Sequence, residues 1–264
     1  MTDQTTTQKT KRQPRASRRF TEHTPPGEKI SRLAGDHPAA VEGRTRYPKR
    51  REDPLLSAHV LKNGKHNRKI GSHVTKGAWK GAPIYTLTLE ERATCPRSCH
   101  HWLDCFGNKM NWSTRYEHGA RLEAALEVEL EILAKKHELF VVRLHVLGDF
   151  YGPGYICFWR SMLSKHSGLR IFGYTAHDRL MPMGEAIRMA RSSVSWRPSN
   201  PFAIRFSVPG TGKDIAPMTA VSYDKLEDVP PGVIPCPAET GKTDCCGTCA
   251  LCWSTDKPIA FITH

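Results

Sequence analysis

The sequence predicts an α/β chain: a full or partial (β/α) barrel-like domain, preceded by a disordered basic arm and carrying a cysteine-rich metal-binding segment near its C-terminus. Three observations predict it. Short β-rich runs alternate with helical periods from residue 84 to residue 207. Residues of unusual chemistry follow the predicted strands, where parallel α/β folds bind their ligands. Eight of the nine cysteines fall in two clusters, which needs a chemical reason.

Composition sets the bounds. With 264 residues, 39% hydrophobic and 25% charged, the chain is long enough to bury a sizeable core. Lys and Arg number 39 against 26 Asp and Glu, a formal net charge of +13 that favours polyanionic partners, nucleic acid first among them. No stretch approaches the apolar length of a membrane span, and the first twenty residues lack the apolar core of a secretory signal. Neither membrane insertion nor export is expected, and the predicted compartment is a reducing cytoplasm. An odd number of cysteines there argues for metal or redox chemistry over a disulfide framework.

Residues 1–56 form the predicted arm. Up to residue 55 it holds thirteen Lys or Arg against seven Asp or Glu, with turn-prone stretches such as TPPGEK and no surviving period. Such an arm serves either as a nucleic-acid contact or as a solubilising tail. The domain then runs from 57 to 264, with a cysteine-rich module at 232–256. Ile84–Leu89 alternates as a strand and leads directly into the first cysteine loop. Ser113 is a candidate N-cap for a helix in which Leu122, Ala125, Leu126, Leu130 and Leu133 share a face and which ends near His137. Phe140–Val146 reads as a strand. After the Gly152-Pro153-Gly154 break, Tyr155–Lys165 reads as a helix. Leu169–Tyr174, Met183–Ala190 and Phe202–Ser207 continue as strand, helix and strand, and Met218–Ser222 and Pro258–Thr263 are strands flanking the second cluster.

The first cluster, Cys95, Cys99 and Cys105, has the spacing C-x3-C-x5-C. Three thiolates can ligate three irons of a cubane iron-sulfur cluster and leave the fourth iron open; a structural zinc would want a fourth ligand such as His100 or His101. In the second cluster, Cys236, Cys246, Cys249 and Cys252 make the more regular set and leave Cys245 spare. A zinc ion or a second iron-sulfur cluster fits that set equally in kind. Gly148 permits close backbone approach, and the Asp149 carboxylate either holds an amine or ribose hydroxyl of a cofactor or closes an Asx-turn. Tyr174, Thr175 and His177 end the next strand, so that Asp149, Tyr174 and His177 are candidate catalytic groups and Thr175 a cofactor contact. Arg205 and Ser207 share a strand face, as a phosphate or carboxylate handle would. Cys157 reads as a core residue, and the six tryptophans as packing groups.

Taken together, Cys95-Pro96, Cys99, Cys105, Gly148-Asp149-Phe150 and Tyr174-Thr175 resemble the phage gene product 88-like family and its bacterial relatives over residues 60–264. More distantly, three cysteines after a first barrel strand and a glycine-acid pair after the second resemble radical S-adenosylmethionine enzymes. That resemblance implies Cys95, Cys99 and Cys105 as cluster ligands and Gly148 and Asp149 at the amino group of S-adenosylmethionine. It also implies an auxiliary cluster on the second cysteine set, and a deoxyadenosyl radical that takes hydrogen from a nucleic acid or nucleotide substrate. This sequence departs from the usual C-x3-C-x2-C, since position 102 is Trp and the third cysteine arrives at 105. Two other functions fit the same residues: a zinc-stabilised nucleic-acid-binding protein without catalysis, and an iron-sulfur redox sensor or electron-transfer protein.

Overall fold

The structure, a computed structural model, describes residues 30–195, 200–211 and 215–262. The chain divides into two units, Met1–Ile30 and Ser31–His264. The part of the predicted arm at residues 1–29 lies outside the described residues. Residues 30–56 do not match the expected disorder: they include helix α1 (Pro38–Glu42) and strand β1 (Arg51–Glu52). Low apolar content misled the reading there, because this segment is anchored by charge rather than by a hydrophobic stripe.

In chain order there follow β2 (Lys62–Asn63), β3 (Ile84–Thr86), β4 (Arg115–Tyr116), α2 (Ala120–Lys136), β5 (Phe140–Leu144), α3 (Pro153–Lys165), β6 (Leu169–Thr175), α4 (Pro182–Ser193), β7 (Phe202–Pro209), β8 (Thr219–Tyr223), β9 (Ile234–Pro235), α5 (Cys246–Cys249), α6 (Leu251–Ser254) and β10 (Ile259–Ile262). The main sheet has eight strands in the order β2-β3-β5-β6-β7-β8-β10-β9, parallel throughout except for the β2-β3 pair. No pairing joins β2 to β9 among the described residues, so the sheet is open at its ends and no closed barrel is seen. None of the described helices is long and apolar enough to cross a membrane.

The two faces of the sheet are covered differently, and strand alternation decides which residue meets which cover. On one face Tyr85, Leu87, Phe140, Val142, Leu144, Leu169, Ile171, Phe202 and Ile204 pack with the apolar stripes of α2, α3 and α4, including Leu122, Leu126, Trp159 and Ile187. On the other, Ile84, Val141, Phe172, Ala203 and Ile259 pack with Trp79, Cys236 and Cys252. The cysteine-rich module and the segment around residues 70–82 thus fill the face that the long helices leave bare.

The helix expected from Ser113 starts at Ala120. Residues 115 and 116 instead form β4, parallel to β1 in a small second sheet. The strand read as Ile84–Leu89 is regular only to Thr86, but Leu87 and Leu89 still donate their N–H groups to the Arg143 and Leu147 carbonyls of the neighbouring strand and loop.

Candidate metal centres

The first cysteine loop begins where β3 runs out, at the carboxyl end of the sheet. Its foundation is a buried charge network that the sequence reading passed over. Glu91 and Arg115 are both fully buried and form a bidentate pair, at 2.8 Å (Nε to Oε2) and 3.2 Å (Nη2 to Oε1). The remaining Arg115 donors reach the carbonyls of Gly107, Met110 and Ser113, so the guanidinium fixes the chain just past Cys105. Glu90 receives Arg44 at 2.9 Å and Arg51 at 3.2 Å, and Thr45 donates from its backbone to Glu90 and from its hydroxyl to Glu91. This is what holds residues 44–51 against the loop. The signal in the sequence was Glu90-Glu91-Arg92, a charged triplet directly between an apolar strand and a Cys-Pro pair.

Cys95, Cys99 and Cys105 each lie within electrostatic reach of the other two. Burial raises all three thiols, Cys99 to about 11, and Asp149 pushes Cys95 and Cys99 the same way. Backbone N–H groups of His101 and Gly107 donate to the Cys99 and Cys105 sulfurs, an arrangement that favours thiolate over thiol. Arg92, 3% exposed, acts on Cys105 with its positive charge. Its Nε bonds the Trp102 carbonyl and one terminal nitrogen bonds Asn108, while Nη1 is buried with no hydrogen-bond partner. A buried guanidinium with an orphaned donor beside three thiols suits an anionic thiolate-metal group. His100 and His101, the residues that would complete a zinc site, turn to the Ser222 hydroxyl at 3.4 and 3.0 Å.

The second set is more enclosed. Cys236, Cys246, Cys249 and Cys252 all line one small cavity of about 10 Å³, together with Pro237, Ala238 and Trp253. Cys245 is not among the lining residues; its sulfur caps α5 through Thr248 and abuts Gly71. The four-residue set expected from spacing is therefore the set brought together. Gly247 makes this possible, because a Cβ there would stand 2.1 Å from the His73 carbonyl oxygen. Burial lifts Cys236 to about 11 and raises Cys246 and Cys252 as well. Ala238 and Glu239 give their N–H groups to Cys236, the Tyr174 phenol donates to the Cys252 sulfur at 3.0 Å, and the Arg143 charge acts on Cys246 and Cys252.

Among the described residues no three His, Cys, Asp or Glu side chains stand close enough to hold a metal ion as placed. Ligation by either set would draw the thiols closer together. Both sets nevertheless fit a thiolate-ligated group by donor type, by N–H groups directed at sulfur, and by a cation, Arg92 buried and Arg143 half-buried, that among the described residues pairs with no carboxylate.

The other expected site residues separate into two places. Tyr174 belongs to the second cysteine set, where Arg143 stacks on its ring at 4.6 Å, and not with Asp149. Asp149, 2% exposed, accepts from the Phe150 N–H at 2.7 Å, the Ala176 N–H at 2.6 Å and the Thr175 hydroxyl. With both oxygens engaged, it ties the loop after β5 to the loop after β6. Gly148 has φ +85°, and a Cβ there would meet Thr94 Oγ1 at 2.6 Å and Leu89 Cβ at 2.7 Å, so the close approach it permits is to the chain leading into the first cysteine loop. Thr175 also accepts from the His177 N–H, and the His177 ring donates from Nε2 to the Phe150 carbonyl at 2.7 Å. Arg205 is not the expected anion handle: fully buried, it donates to the carbonyls of Leu251, Cys252, Thr255 and Lys257 and locks the end of the cysteine module onto β7. Ser207 lies two residues on, half-buried on the same strand face. Cys157, read as core, is exposed on α3.

No protein-family model, curated protein or solved structure matches this chain.

Proposed function

We propose that the chain is an iron-sulfur enzyme of the radical S-adenosylmethionine type, akin to the phage gene product 88-like proteins it resembles and working in a reducing cytoplasm. One observation carries this reading. The first site gathers three thiols, with a buried guanidinium beside Cys105, while His100 and His101 face Ser222. Three protein ligands on a cubane leave one iron for a small molecule, and four thiols at Cys236, Cys246, Cys249 and Cys252 suit a closed, auxiliary cluster. Six parallel strands in chain order, long helices on one face, and contact of the loop after β3 with Ser222 on β8 support a partial barrel whose mouth the first site would occupy.

An open iron of this kind supplies one-electron chemistry when its co-substrate is bound. The chain's own residues shape that mouth. Glu91 and Arg115 fix the backbone that carries Cys105, Arg92 sets a positive charge beside its sulfur, and Asp149 positions two loops rather than meeting a ligand amine. Anaerobically purified protein should contain iron and acid-labile sulfide in equal amounts, and the reduced protein's EPR signal should change on adding S-adenosylmethionine. Stoichiometric zinc without sulfide would sink the reading, and an iron signal indifferent to S-adenosylmethionine would leave electron transfer in its place.

A further inference from the structure

Beside the first cysteine loop lies a surface that neither site uses. The turn at Phe106–Lys109 immediately follows Cys105, and residues 46–50 run along it: Arg46 and Tyr47 bond the Asn108 carbonyl, the latter at 2.6 Å, and Arg50 bonds the Asn111 carbonyl at 3.1 Å. Two large rings stand out from this patch, Phe106 at 66% and Trp112 at 60% exposure, with the Arg50 guanidinium stacked 4.7 Å from the Trp112 ring centroid. Arg46 sits over Tyr47 in the same way at 5.1 Å. Among the described residues no ion pair joins Arg46, Lys49 or Arg50 to a carboxylate, in contrast to Arg44 and Arg51, which Glu90 neutralises. The patch continues into a cleft of about 660 Å³ lined by His37, Arg44, Arg46 and Arg51, with Glu42 and Glu90 as its acids.

Exposed flat rings interleaved with uncompensated cations match the chemistry of an unpaired polynucleotide strand. Bases stack on the rings, the phosphates meet the cations, and a duplex, whose bases are already stacked, cannot use the rings. We infer that Phe106, Trp112, Arg46, Lys49 and Arg50 form a docking surface for single-stranded nucleic acid, which brings a strand to the rim of the Cys95-Cys99-Cys105 site. The substrate role of that strand rests on the iron-sulfur reading above; its binding does not.

The test is fluorescence anisotropy of a labelled single-stranded 12-mer with the full-length protein, against the same sequence as a duplex, over a salt series. Trp112→Ala and Phe106→Ala should each weaken single-strand binding about 5- to 100-fold, the worth of one stacked base, with an unchanged melting temperature because both rings are exposed. Lys49→Gln should weaken it and reduce the salt slope by about one phosphate contact. Ring variants that bind within about twofold of the parent protein, or a duplex bound as tightly as the single strand, would overturn the inference. Iron analysis on the same preparation separates the two claims: loss of binding in the ring variants supports this surface whatever metal the cysteines hold.

Discussion

Replacing Arg115 with Met removes the post on which the first cysteine loop stands. The methionine keeps the length and apolar stem of the side chain but leaves the Glu91 carboxylate buried with the Thr45 hydroxyl still donating to it, and strips the Gly107, Met110 and Ser113 carbonyls of their guanidinium donor. Removing one partner of a fully buried ion pair costs about 3–5 kcal/mol, because the surviving charge stays desolvated. With a urea dependence of about 3 kcal/mol per molar for a domain of this size, the unfolding midpoint should fall by about 1–1.7 M. The double variant Glu91→Gln/Arg115→Met removes the stranded charge and should recover about 1–3 kcal/mol of the loss. Urea titration followed by circular dichroism measures all three proteins, and iron analysis reports the consequence at the site. Gly107, whose N–H bonds the Cys105 sulfur, is held by Arg115, so iron should be lost from the three-thiol site first. A midpoint within about 0.3 M of the parent protein, at equal urea dependence, would refute the reasoning.

Three further outcomes are expected. On the proposed iron-sulfur reading, Cys246→Ser should lose the second cluster while Cys245→Ser keeps it, since Cys245 does not line the cavity; metal analysis of both variants checks this. Tyr174→Phe deletes the phenol donor to the Cys252 sulfur and, on the same iron-sulfur reading, should make a cluster there harder to reduce, read as a more negative midpoint in a redox titration. His145, buried and left-handed at φ +56°, is depressed to about 3 by desolvation, with the Arg143 and His177 charges adding to it. The neutral ring is favoured in the folded state, so its contribution is present above the unfolded value near 6.5 and is lost as pH falls toward 3. The acid limb amounts to at most roughly 5 kcal/mol, and His145→Asn, which tolerates the same backbone, should flatten it in urea melts collected from pH 7 to pH 3.

The sequence by itself determined the long helices and the main parallel strands. A continuous run of β-formers at Phe140–Leu144, buried on both faces, and period 3.6 across Leu122–Leu133, buried on one, place β5 and α2 without any knowledge of their partners. That Cys236, Cys246, Cys249 and Cys252 line one cavity and Cys245 does not agrees with the set that the spacing favours. What the tertiary structure decided is where long-range charges go. Glu90, Glu91, Arg92 and Arg115 look like ordinary surface residues in a sequence; their burial depends on chain segments more than forty positions apart meeting, as Thr45 and Glu91 do. The same holds for Arg205 and Tyr174. Strand membership was legible for both, but which carbonyls and which sulfur would cover them depended on the cysteine module packing on the face that the long helices leave bare. Periodicity reports that a side chain is buried, and only the fold supplies the group it is buried against.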